Sequence, residues 1–287
     1  MTMKIKTAVI QLSFSDDISH NITQLVQKVT EASKQNANII LIPELPSYLY
    51  FCKLQSAEYF KLAEHIDDCR LIREMQLVAR QYKVVIPVSF FEKVENTFFN
   101  SVAMIDADGQ VLGVYRKSHI PDGTGYQEKY YFSPGKSGFK VWQTQYGRIG
   151  CGICWDQWFP EAARVMTLKG ADILLYPTAI GSEPHLPEYD SKAHWQTVMQ
   201  GHSAANMIPV LAANRYGIEK DHDIEINFYG SSFITDHKGQ KIAEADRISE
   251  QILYADFNLD HIKDERISWG IFRDRRPDLY LSIAKEV

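Results

Sequence analysis

Short apolar runs alternate with stretches of helical periodicity along almost the whole chain. Residues 5–11 form a strand-like run, and residues 21–33 then carry Ile22, Leu25, Val26, Val29 and Ala32 at three- and four-residue spacing, the mark of an amphipathic helix. Residues 39–43 are short and continuously apolar, as in a strand buried on both faces. Residues 67–82 repeat Leu71, Ile72, Met75, Val78 and Ala79 on one helical face, and residues 84–90 return to strand. Residues 99–106 and 110–117 flank Asp108-Gly109 and predict a hairpin. The second half gives strand over 147–153, helix over 160–169, strand over 172–177, helix over 190–207, strand over 209–214 and a hairpin around Lys238-Gly239. Pro160 suits the first helical turn and Gly170 the stop.

The two halves repeat one another in order. Ala37-Asn38-Ile39-Ile40-Leu41-Ile42-Pro43 is matched by Ala171-Asp172-Ile173-Leu174-Leu175-Tyr176-Pro177. Val84-Val85-Ile86-Pro87-Val88 is matched by Asn206-Met207-Ile208-Pro209-Val210, and the strand beginning Asn100-Ser101-Val102 by the one beginning Gly230-Ser231-Ser232. Three matches in the same order point to a duplicated β-α-β-α-β unit. Strands alternating with helices predict sheets covered by helices. Two such halves burying sheet against sheet give an α/β fold, a four-layer α-β-β-α sandwich with an internal pseudo-two-fold repeat, in one domain over 1–287. Residues 260–287 have no counterpart in the first half. With Trp269, Phe272 and Tyr280 among many charges, they are expected to form a C-terminal extension packed on a neighbouring subunit of a homo-oligomer.

Composition narrows the function classes. The 287 residues are 45% hydrophobic and 23% charged with net charge −5, an ordinary globular balance. No basic block is present, so a nucleic-acid partner is not expected. The longest apolar runs, near 39–42 and 173–176, are too short to cross a membrane. No secretory leader is recognisable at the N-terminus, and four cysteines do not make a disulfide framework in a chain this long. A reducing compartment, the cytoplasm, is the expected location.

The candidate chemistry sits where strands end. Gly147 opens the run G-R-I-G-C-G-I-C-W-D-Q-W-F-P-E, which holds Cys151 and Cys154 at C-x-x-C spacing. If the strand stays extended, the two thiols point to opposite faces. Cys151 then reads as strand interior and Cys154 as a thiol on a strand-to-helix turn, where free backbone N–H groups favour a thiolate and can hold an oxyanion. A redox pair and half a zinc site share this spacing. Zinc needs a second ligand pair, and Cys52 and Cys69 are too far apart in sequence to form one. Glu44 directly follows the apolar run 39–43, an awkward place for a carboxylate. Lys117 ends the second strand of the first hairpin, and Glu128 lies in the loop beyond. Each of these three also reads as an ordinary surface or capping charge when taken alone.

Taken together they resemble the nitrilase superfamily of carbon–nitrogen hydrolases. Leu41-Ile42-Pro43-Glu44 is similar to its glutamate motif and Tyr115-Arg116-Lys117-Ser118-His119 to its lysine motif. Gly152-Ile153-Cys154-Trp155-Asp156 with Phe159-Pro160-Glu161 is similar to its cysteine motif. Glu128 falls where the family has a second glutamate. The likeness spans nearly the whole chain and extends, at Lys117 to Lys129, Cys154 to Arg164 and Pro177 to Pro184, to the branch of N-carbamoylputrescine amidases.

The resemblance implies an amidase with Cys154 as nucleophile, Glu44 as general base, Lys117 as oxyanion donor and Glu128 positioning Lys117, with no metal or other cofactor. It implies a small ureido-amine substrate, cleaved to putrescine, carbon dioxide and ammonia. An ω-amidase and a β-ureidopropionase-like enzyme are the neighbouring alternatives. A non-catalytic scaffold and a thiol–disulfide oxidoreductase are alternatives from other classes. Family members that take carbamoyl amino acids hold the carboxylate with arginines just after Cys-x-Asp, where this chain has Gln157 and Trp158. An amine tail is therefore expected, with Glu183 holding it and Trp155 and Trp158 lining the alkyl path.

Overall fold

Inward-facing apolar residues on both strands and helices dictate where each element goes. In the computed structural model, which describes residues 3–285, β1 (Lys4–Gln11) and β2 (Ile39–Leu41) run parallel, and β14 (Gln251–Asn258) pairs antiparallel with β1 on its other side. β2 passes the sheet on to the segment before β3 (Ile86–Val94) through a parallel bridge between Ile39 and Val85. β4 (Thr97–Ile105) and β5 (Val111–Arg116) complete this half. The strand order is therefore β14-β1-β2-β3-β4-β5.

The second half is a six-stranded sheet with order β6-β7-β8-β9-β12-β13. Its strands are β6 (Val141–Thr144), β7 (Gly147–Cys151), β8 (Ile173–Pro177), β9 (Val210–Ala213), β12 (Phe233–Thr235) and β13 (Lys241–Glu244). Laid over the first, it matches strand for strand. The repeat legible in the sequence is thus a repeat of the fold, with β2 equivalent to β8 and β4 to β12.

Three apolar clusters give the layers. Val9, Leu41, Val102, Met104, Ile149, Ile173, Leu175 and Leu211 fill the space between the two sheets. Leu25 and Val29 of α1 (Ile18–Lys34), with Leu71 and Met75 of α2 (Arg70–Tyr82), pack on the outer face of the first sheet. Met166 of α3 (Pro160–Leu168), with Trp195 and Met199 of α4 (Lys192–Asn206), covers the second. The result is the four-layer sandwich. β2 and β8 are buried at every position because each lies between a helix layer and the opposite sheet.

Several elements depart from the sequence expectation. The long hairpin of β10 (Tyr216–Asp221) and β11 (Ile224–Tyr229) is inserted between β9 and β12. β6, β14 and α5 (Leu259–Trp269) are also additional. The cysteine strand stops at Cys151. The chain turns at Ile153, and Cys154 opens a 3-10 turn to Trp158 with φ of +41°. Both thiols consequently belong to the cluster between the sheets, and the extended-strand expectation of opposite faces does not hold. The region after 260 divides in two. Leu259 and Ile262 of α5 are buried against the chain's own sheets, and Arg266 donates to the Met207 carbonyl at 3.0 Å. Trp269, Leu281 and Ile283 beyond it are exposed. No helix among the described residues is long and apolar enough to cross a membrane.

Candidate active site

β2 and β8 end side by side, joined where the Glu44 N–H donates to the Thr178 carbonyl at 3.3 Å. Lys117 enters from the end of β5, its N–H bonded to the Asn100 carbonyl of β4 at 2.8 Å. Cys154 enters from the turn after β7. Three stretches far apart in sequence meet at one end of the sandwich because the two sheets present the ends of corresponding strands there.

The side chains form one buried polar cluster. Lys117 Nζ donates to Glu44 Oε1 at 2.9 Å and to Glu128 Oε2 at 2.6 Å, and all three residues are essentially inaccessible to solvent. Asn100 Nδ2 donates to the same Glu44 oxygen at 2.7 Å. The Tyr50 hydroxyl donates to Glu128 Oε1 at 2.8 Å. Glu44 Oε2 is buried and has no partner. An ammonium has three donors, and two of Lys117's are taken by carboxylates, which leaves one for an incoming oxygen.

Electrostatics set the protonation states. Burial alone pulls the Lys117 ammonium down, but the Glu128 and Glu44 carboxylates outweigh it and hold it well above the usual lysine range. Burial lifts Glu128, with Lys117 opposing and Glu44 reinforcing. The Cys154 thiol is pushed far up, first by burial and next by the Glu44 carboxylate, against the pull of Lys117. Two carboxylates around one ammonium already leave a negative charge, and a resting thiolate would add a second. The resting cysteine is therefore a thiol and needs a base as it attacks. Cys154 itself sits in the left-handed region, a conformation that costs a non-glycine residue about 1–3 kcal/mol. Its Sγ lies 3.7 Å from the Ala179 carbonyl oxygen.

Asp156 ties this turn to the lysine loop. Its Oδ2 accepts from the Ile153 N–H at 2.9 Å and the Tyr115 hydroxyl at 2.8 Å. Its Oδ1 accepts from the His119 N–H at 3.1 Å and lies 2.7 Å from His119 Nδ1. The first bond of the turn runs from the Asp156 N–H to the Ile153 carbonyl, so the Trp155 N–H just before it stands outside the turn's hydrogen bonds, free for an anion. A β-carbon at Gly152 would come within 2.8 Å of the Tyr176 ring, so only glycine lets the chain swing under that ring into the turn.

A cavity of about 140 Å³ opens beside Cys154. Trp155, Trp158, Glu128 and Glu183 all line it, with Tyr126 and His185. Glu44 and Lys117 do not line it and lie behind Glu128 in the buried cluster. Gln157 does not line it either. It is buried behind the turn, accepting from Trp195 Nε1 at 2.8 Å. Burial raises the Glu183 carboxyl, with His185 opposing. Asn100, Tyr50, Asp156 and Arg215 are site residues the sequence reading did not single out. Arg215 had the same signal as Glu44, a charge placed directly after an apolar strand. Cys151 makes no disulfide with Cys154, and all four cysteines are free and buried.

Known proteins resemble the chain over nearly its whole length. The family model for carbon-nitrogen hydrolase matches residues 6–266. A citrullinase from Francisella tularensis is 63% identical, over 98% of this chain and 99% of its own. An N-carbamoylputrescine amidase from Arabidopsis thaliana is 56% identical, over 94% and 92%. The crystal structure of a carbon-nitrogen hydrolase from Helicobacter pylori G27 superposes with a TM-score of 0.92 at 36% identity, covering 99% of both chains.

Proposed function

The chain belongs to the carbon–nitrogen hydrolases of the nitrilase superfamily and is an amidase, and from that premise we propose that it hydrolyses N-carbamoylputrescine to putrescine, carbon dioxide and ammonia. The observation that carries the choice is the cavity lining. From Cys154 outward it holds the acids Asp122, Glu128 and Glu183 and the aromatic rings of Tyr126, Trp155 and Trp158, with no lysine or arginine. About 140 Å³, small beside the roughly 300–1,000 Å³ of pockets for drug-sized ligands, suits a slim linear molecule. An alkyl chain running past the indoles brings a terminal ammonium to Glu183, whereas a terminal carboxylate meets acids.

The chemistry follows from the cluster. The free Oε2 of Glu44 takes the Cys154 thiol proton as sulfur attacks the ureido carbonyl carbon. The oxyanion is held by the remaining Lys117 donor and the Trp155 N–H; one such donor is typically worth about 3–4 kcal/mol. Collapse breaks the C–N bond to the terminal nitrogen, which leaves as ammonia with the proton from Glu44, and a carbamoyl thioester remains on Cys154. Glu44 then deprotonates water, which attacks the thioester carbon. The sulfur departs and regains its proton, and the released carbamate loses carbon dioxide to give the amine.

A second reading is favoured by the 63% identity to a citrullinase. Citrulline carries the same ureido end but adds a carboxylate beside its amine, and His185 is the one lining group able to meet it as a cation. Ammonia release from N-carbamoylputrescine, citrulline and carbamoyl-β-alanine separates these readings. The proposal expects kcat/KM to be highest for N-carbamoylputrescine. A higher value for citrulline would replace it with the second reading.

A further inference from the structure

Between the candidate site and the β10–β11 hairpin lies a buried ion cluster that the reaction scheme does not use. Arg215 is fully buried, yet it forms only one ion pair, Nη1 to Glu219 Oε1 at 2.8 Å. Its other bonds go to backbone carbonyls of one short segment. Nη2 donates to Glu44 O at 2.7 Å and Leu45 O at 3.1 Å, and Nη1 donates to Tyr48 O at 3.1 Å. Glu219, itself buried, accepts from the Tyr50 N–H at 2.6 Å through Oε2. Buried Lys53 donates to the Tyr50 carbonyl at 2.8 Å and lies 3.6 Å from the same Glu219 oxygen. The rings of Phe14 and Phe228 stand within 4.8 and 5.4 Å of the guanidinium and close the cluster to water.

The segment held this way is the one that carries both acids of the site into place. Glu44 is its first residue, and the Tyr50 hydroxyl, near its far end, bonds Glu128. Leu45 has φ of +44°, so the chain turns sharply right after Glu44, and the Arg215 guanidinium occupies the inside of that turn. A guanidinium gives fixed planar donors, which suits several carbonyls at set angles. Three buried charges would be costly as mere packing. We infer that Arg215 and Glu219, with Lys53, are positioning residues for the reaction: they fix the backbone that carries the Glu44 carboxylate, and the Glu128 carboxylate through Tyr50. The inference rests on the reading of Glu44 as general base.

Glu219→Gln tests it. The amide keeps the size and can still accept from the Tyr50 N–H, but the cluster loses its only negative charge. A carboxylate displaced by about 1 Å costs on the order of a hundredfold in rate. The expected result is a fall in kcat of about ten- to hundredfold with KM held within about threefold, the pattern of a group acting in the transition state, and with a cooperative melt retained. If the wild type is active and Glu44→Gln is dead, the base assignment stands. An unchanged kcat in Glu219→Gln then overturns the positioning role, as does a loss confined to KM. If Glu219→Gln does not fold, Tyr50→Phe tests the second arm. It removes a single hydroxyl and should lower kcat several-fold, and an unchanged kcat there overturns the role for that arm.

Discussion

Replacing Lys117 with methionine removes the one cation between two buried carboxylates and keeps an unbranched side chain one atom shorter. In the wild type the ammonium bonds Glu44 and Glu128 at 2.9 and 2.6 Å, and nothing else in the cluster carries positive charge. Breaking a buried pair by removing one partner costs about 3–5 kcal/mol, and here one cation serves two acids. With each kcal/mol worth about 2 °C in a chain of this size, Tm should fall by roughly 6–10 °C at pH 8.

The pH dependence carries a definite sign. Glu128 is already raised by burial with Lys117 opposing, and removing Lys117 raises it further. A carboxyl raised in the folded state favours folding below its unfolded pKa, and that contribution is lost as pH rises through the folded value. The Tm deficit of Lys117→Met should therefore shrink as pH is lowered from 8 towards 5, because the wild type, whose Glu128 is raised less, gains less from the same change. Loss of the oxyanion donor should also lower kcat by about 100- to 1,000-fold. Differential scanning fluorimetry across pH with ammonia-release kinetics reads both effects. An unchanged Tm at pH 8, or a deficit that grows on acidification, would refute the charge bridge.

Glu44→Gln should abolish turnover and slow iodoacetamide labelling of Cys154 near neutral pH, because burial holds that thiol up and it needs a base as it attacks. Turnover in that variant, or labelling as fast as in the wild type, would count against Glu44 as base. Glu183→Gln should raise KM for N-carbamoylputrescine by roughly tenfold, as expected for loss of a charged contact of about 1.5 kcal/mol, with little change in kcat; an unchanged KM removes Glu183 from amine recognition.

Much of the fold was legible because it is written twice. The matched runs at 37–43 and 171–177 are the equivalent strands β2 and β8, and the buried character of both follows from their unbroken apolar run. What was not legible is non-local or lies outside the repeat. β14 is a strand because it pairs with β1 at the other end of the chain, a partner no local pattern announces. The β10–β11 hairpin begins with a strand whose second half is three charges in a row, Glu219-Lys220-Asp221, and has no twin to compare with. At the site, Glu44 and Lys117 stood out as charges at strand ends, and Cys154 as a thiol at a turn. Asn100 and Tyr50 looked like ordinary strand and loop residues, and only the folded chain brings their donors to the two carboxylates. The inequality of the two thiols was legible, Cys151 as strand interior and Cys154 at the turn; their sharing one face was not, because it comes from the sharp turn at Cys154, which leaves Cys151 closed in strand β7 and Cys154 open to the cavity.

That inequality is the most direct test of the account. Ammonia release from N-carbamoylputrescine should vanish in Cys154→Ala and stay close to wild type in Cys151→Ala. Residual turnover in Cys154→Ala, or a dead Cys151→Ala that remains folded, would contradict the assignment of the nucleophile.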